Sequence, residues 1–87
     1  MTFLVTWAVA ALTELAAVVA SHGDPRAVDD AARWVDYTLR RVPFDVGESR
    51  QTLNVRVWYG DVLGVYYFVD PDAMTVRVLA VAPARRR

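Results

Sequence analysis

Two spacings of apolar residues divide this chain, and they restrict its fold more than any single motif does. From Ala8 to Val42 apolar residues recur three and four positions apart, and from Leu53 onward they alternate with others. Helices therefore come first and strands follow. Ahead of both, Phe3, Val5 and Trp7 alternate with Leu4 and Thr6, which predicts a short core strand that runs directly into a helix over residues 9–21.

The stretch from Phe3 to Ala20 is close to the roughly 20 residues that cross a hydrocarbon core. Its charges argue against a membrane or export role. Glu14 sits in its middle and the first Arg is Arg26, whereas a secretory signal places positive charge ahead of its apolar region. Removing the segment would leave about 65 residues, near the lower limit for an unstapled core. The chain has no Cys to supply disulfides, so the segment is read as part of the fold, with no membrane partner.

The second helix is marked at both ends. Asp24 can cap the free amides of a first turn and Pro25 fits the first helical position, while Pro43 stops the helix. Between them Val28, Ala31, Ala32, Val35, Leu39 and Val42 form an apolar stripe, and Asp29 with Arg33 and Asp36 with Arg40 are acid-then-base pairs four apart. In the first helix the corresponding stripe is Ala8, Ala11, Leu12, Leu15, Ala16 and Val19. The two make a helical hairpin joined by "HGDP".

After the connection "PFDVGESRQT", three alternating runs follow: "LNVRVWY", "VLGVYYFV" and "MTVRVLAVA". Gly60-Asp61 and "DPDA" at 70–73 are turn signals between them, which predicts an antiparallel meander. The fold class is α+β in two layers, in the order β-α-α-β-β-β. One domain spans residues 1–87, with 83–87 as a basic tail.

With 87 residues, 55% of them hydrophobic, the chain can bury a core and is not a disordered tail. Net charge is zero but uneven: residues 1–49 carry seven acids against four Arg, and residues 50–87 carry three acids against six Arg. Half of those six are the terminal run Arg85 to Arg87, so the excess falls short of a strongly basic nucleic-acid binder. With one His and no Cys, no metal site is expected, and no glycine-rich loop predicts a cofactor phosphate. His22 falls at a helix end, Asp70 and Asp72 flank a turn Pro, and Ser49 has no His nearby in sequence; Glu48, Ser49 and Arg50 read as a polar cap on a strand end. The absence of Cys is compatible with a reducing cytosol, and the expected location is cytoplasmic.

This order of elements, with "VTWAVAALTEL" opening the chain, "RVPFDVGESR" after the second helix and "LGVYYFVDPDAMTVRVLAV" as the last hairpin, resembles the RelE/ParE superfamily of bacterial toxins. The resemblance implies a helical hairpin on one face of a twisted antiparallel sheet, with the first strand beside the last. It also implies the toxin role in a type II toxin-antitoxin pair, of the kind that serves plasmid stabilization: a protein that cuts messenger RNA on the ribosome or inhibits gyrase, and that a small antitoxin neutralises. In the ribosome-dependent nucleases a basic residue precedes the apolar run of the penultimate strand, where this chain has Gly64. A second Arg or His follows the last strand, where Pro83 and Ala84 stand and Arg85 is the nearest substitute. Nuclease activity is therefore in doubt, and the competing expectation is a catalytically silent module for protein interaction or dimerisation.

Strand parity assigns the faces. If Val65, Tyr67, Val69, Val76, Val78 and Ala80 face the helices, then Tyr66, Phe68, Arg77 and Leu79 point away, joined on the neighbouring strand by Asn54, Arg56 and Trp58. Arg56, Trp58, Tyr66, Phe68, Arg77 and Arg85 are thus the candidate partner- or target-binding residues. They could take an antitoxin segment or stack bases; equally, the aromatics could be ordinary cross-strand pairs or a homodimer contact. Periodicity leaves the opposite parity open, which would give the face to Val55, Val57 and Tyr67.

Overall fold

A computed structural model of the chain describes residues 2–50 and 52–84. Strand β1 (Leu4–Trp7) leads into helix α1 (Val9–Ser21) and helix α2 (Pro25–Arg41). Strands β2 (Glu48–Arg50), β3 (Thr52–Tyr59), β4 (Leu63–Asp70) and β5 (Thr75–Pro83) follow. The sheet has the order β1-β5-β4-β3-β2, with β1 parallel to β5 and the other neighbours antiparallel. This is the two-layer α+β architecture expected from the sequence, with a mixed sheet and one strand more. Glu48 to Arg50, read from sequence as a polar cap in a loop, pairs along β3 as β2. No helix among the described residues is long and apolar enough to cross a membrane.

Helix α2 forms where its signals place it. The Asp24 side chain accepts from the Ala27 amide at 3.3 Å, Pro25 begins the helix, and Val28, Val35 and Leu39 are buried. Truncating a side chain such as Leu39 to Ala would cost about 2–5 kcal/mol in lost burial and cavity formation. Asp29 and Asp36 pair with Arg33 and Arg40 at 3.2 and 2.8 Å on the outer side.

Helix α1 has the predicted span but a different facing. Ala11 and Val18 are its buried residues, Ala8, Leu15 and Val19 pack partly against the core, and Leu12 and Ala16 turn outward. A helix apolar on nearly every side shows its period without fixing which side meets the sheet.

The end of β1 explains Glu14. Pairing of β1 with β5 stops at Val78, where the Ala8 amide donates to the Val78 carbonyl at 2.8 Å. Beyond that point, among the described residues, β5 has a strand neighbour on its β4 side only, and on the open side the Val81 amide donates instead to Glu14 Oε1 at 2.9 Å. The carboxylate thus supplies the acceptor that a longer β1 would have supplied.

Register decides the sheet faces, since directly opposed residues share a face. Tyr59 pairs with Gly64, Trp58 with Val65 and Arg56 with Tyr67, so even-numbered residues of β3 lie with odd-numbered residues of β4. Arg56 and Trp58 therefore sit on the helix side, and strand alternation carries Asn54 with them. Their expected place on the open face is corrected, because face parity follows the pairing and not the residue number. A second correction comes from a β-bulge: Tyr67 pairs with Val78 but Tyr66 with Ala80, so Leu79 is the extra residue. Ala80 moves to the open face, and Val81 turns to the core in its place, where it is buried. Met74, read as the first strand residue, is instead the end of the turn, at φ 56°.

Candidate partner-binding face

The face of the sheet away from the helices carries Tyr66, Phe68 and Arg77 as expected, and Val55, Val57 and Tyr59 in place of the even-numbered β3 residues. Phe68 lies opposite Val55 on one side and Arg77 on the other, so aliphatic, aromatic and cationic groups stand in one row across three strands. Thr6, opposite Arg77 in the parallel pair, extends the row to β1. Phe68 is 39% and Tyr59 67% exposed, while Tyr66 is half-buried.

Among the described residues, charge on this face is sparse. Arg50 is tied to Glu48 at 3.2 Å, and Arg77 has no ion-pair partner among the described residues. Apolar contact thus dominates over phosphate-type attraction, which suits a protein segment more than a polyanion. Arg85, the remaining candidate, lies outside the described residues.

Gly64 lies under the ring of its cross-strand partner. A Cβ placed there would lie 2.8 and 3.0 Å from Cδ1 and Cε1 of the Tyr59 ring, so a larger side chain would require that exposed ring to swing aside. Tyr59, Tyr66, Ala80 and Glu14 border a hollow of about 230 Å³ next to it. Ala84 continues the pairing of β5 with β4, its amide donating to Val62 O at 2.9 Å. His22 is distant in role: its Nδ1 accepts from the Asp24 amide at 2.9 Å within the interhelical turn. Among the described residues no group of His, Cys, Asp or Glu is arranged to hold a metal.

Arg56 and Trp58 do other work on the helix side. The Arg56 guanidinium donates from Nε to Val46 O at 3.3 Å and from Nη2 to Gly47 O at 3.1 Å, and it lies 5.9 Å from the Phe44 ring centroid. The Tyr67 hydroxyl, fully buried, is shared between Pro43 O at 2.8 Å and Val46 O at 2.9 Å. Burial pushes the Tyr67 phenol above its ordinary value of 10.0, and the hydrogen bond and charge of Arg56 partly offset that. Arg56 is therefore a structural cation that holds the 43–47 connection on the sheet. Trp58 packs partly against the core and, with Trp34, borders a hollow between α2 and the β3–β4 turn.

One exposed cluster went unremarked in the sequence. On the outer side of α2, Trp34 and Tyr37 stack with centroids 5.6 Å apart, and Arg41 sits 4.6 Å over the Tyr37 ring. Their spacing of three and four was legible on the polar side of the helix.

No protein-family model matches the sequence, and no curated protein matches it. The likeness is one of structure. A chain of the RelBE2 toxin-antitoxin complex of Mycobacterium tuberculosis superposes with a TM-score of 0.77 at 21% identity, over 95% of this chain and 92% of that one. A chain of the chromosomal ParDE toxin-antitoxin system of P. aeruginosa gives 0.71 at 15% identity, over 95% and 97%. The isolated RelE toxin of E. coli gives 0.69 at 15% identity, over 98% and 87%. The fold is that of RelE/ParE toxins.

Proposed function

We propose that this chain is the toxin of a type II toxin-antitoxin pair, and that its open sheet face receives the antitoxin. The observation that carries the reading is the row Val55, Phe68, Arg77: apolar and aromatic surface beside a cation without an ion-pair partner among the described residues, with Phe68 and Arg77 exposed. Such a surface favours an extended or helical segment that is apolar with acidic residues. The fold shared with toxins of such pairs supports the same reading.

The toxin acts by occupying a macromolecular target, gyrase or the ribosome with its message, and does so without cutting RNA. Cleavage would need groups placed to stabilise charge developing on a phosphate. The open face has Gly64 under the Tyr59 ring, and Arg77 as its one unpaired cation among the described residues. Such a role belongs in the cytoplasm, where it would serve plasmid stabilization.

Induced expression in a bacterial host tests the proposal. Growth should arrest and should recover when a neighbouring short reading frame, encoding a DNA-binding half and an apolar tail, is co-expressed. Unimpaired growth at high expression of the folded chain would instead favour a silent interaction module.

A further inference from the structure

We propose that two copies of this chain associate through the outer side of α2, antiparallel, by the stripe Asp30, Trp34, Tyr37 and Arg41. The contact is separate from the open sheet face and stands whether or not the chain is a toxin.

The spacing comes first. Successive members of the stripe are four, three and four residues apart, the repeat with which two helices mesh side chains along a shared seam. All four are exposed, with Trp34 at 59% and Tyr37 at 49%. They lie away from the buried line Val28, Val35 and Leu39, and although Asp30 and Trp34 also border the hollow beside the β3–β4 turn, all four remain open to a partner. An exposed Trp stacked on an exposed Tyr, with a guanidinium over the second ring, is large apolar area already held in one conformation. Little rotamer freedom is left to lose on association.

Charge selects the occupant and its direction. The seam begins with an acid and ends with a base, and Asp30 has no ion-pair partner among the described residues. Laid antiparallel, a second copy sets its Arg41 against Asp30 and its Tyr37 against Trp34, twice over by symmetry. Laid parallel, the same copy would oppose Asp30 to Asp30 and Arg41 to Arg41. The flanking bases do not resist approach, because Arg33 and Arg40 are already paired with Asp29 and Asp36. The seam is short, about 17 Å at 1.5 Å per residue, so the interface falls at the small end of specific contacts and the dimer is a reversible one.

Sedimentation equilibrium of the purified full chain tests this, with thermal unfolding by circular dichroism run on every variant. The wild type should show a reversible monomer-dimer equilibrium in the micromolar range. Trp34→Ala should weaken it by roughly tenfold or more, as loss of a central aromatic anchor does. Asp30→Arg and Arg41→Asp should each weaken it, and the double variant Asp30→Arg with Arg41→Asp should restore it, since the reversed charges again complement each other. The restoring pair keeps the test decisive even if Trp34→Ala lowers stability. The proposal is overturned by a chain that stays monomeric, by a dimer that ignores these substitutions, or by a double variant no better than the singles. It is equally overturned if the chain is monomeric and Trp34→Ala weakens antitoxin binding, which would assign the stripe to the antitoxin.

Discussion

Arg56 and Tyr67 stand directly opposite each other in the β3–β4 ladder, and both reach the carbonyl of Val46, at 3.3 and 2.9 Å. Through this pair the sheet grips the chain where it leaves α2 and enters β2. Removing the cation takes the side-chain donor from the Gly47 carbonyl and leaves the Val46 carbonyl with the Tyr67 hydroxyl alone. Arg56→Ala should destabilise the fold by about 2–3 kcal/mol, the scale of hydrogen bonds to a charged group. Urea denaturation measures it; an unchanged midpoint, with weakened partner binding, would return Arg56 to the partner surface.

Tyr67→Phe should cost about 1–3 kcal/mol, because the Pro43 carbonyl loses the buried hydroxyl and the Val46 carbonyl keeps only its bond from Arg56. Its effect should also depend on pH. The folded phenol titrates above the unfolded value of 10.0, so the unfolded chain loses its proton first as pH rises. The stabilisation from Tyr67 is fully present below pH 10.0 and is lost as pH rises through the folded value. Stability followed from neutral to strongly alkaline pH should fall more steeply for wild type than for Tyr67→Phe; parallel curves would contradict the buried, shared hydroxyl.

Glu14→Ala should expose the consequence of a short β1. The Val81 amide would lose its acceptor, at a cost of about 1–2 kcal/mol. Glu14→Gln keeps a carbonyl oxygen and should retain most of the stability. Hydrogen exchange at the Val81 amide provides the readout, faster in Glu14→Ala and near wild type in Glu14→Gln.

Message cleavage should be weak or absent. Mapping of transcript ends after expression of the chain without a partner should show no new cuts within ribosome-covered codons. Abundant cuts there would mean that Tyr59 swings off Gly64, or that other residues supply the charge.

Both helix spans and the order of every element but β2 were legible because they rest on local chemistry: period, an Asp-Pro start, turn residues. The sheet faces were legible only in part. On β4 and β5 the alternation gave Tyr66, Phe68 and Arg77 their correct side, yet Arg56 and Trp58 were placed with them. An Arg and a Trp look like surface residues until register shows them opposite Tyr67 and Val65. The extra residue Leu79 has no mark in composition, since a bulge between two apolar neighbours leaves the run apolar. Strand β2 was hidden for another reason: its residues Glu48, Ser49 and Arg50 are polar and exposed, and pairing with β3 makes them a strand. Gly64 read as a missing charge, and only the cross-strand ring of Tyr59 shows that the place is filled.

The open face as partner surface is tested most directly by the affinity of the proposed antitoxin for Phe68→Ala and for Arg77→Glu, each against wild type and with thermal unfolding measured in parallel. Both side chains point away from the helices, so unfolding should change little. Binding should weaken by roughly 1–4 kcal/mol for each, as expected for an aromatic anchor and a carboxylate-binding Arg in an interface. Wild-type affinity in both folded variants would contradict the account.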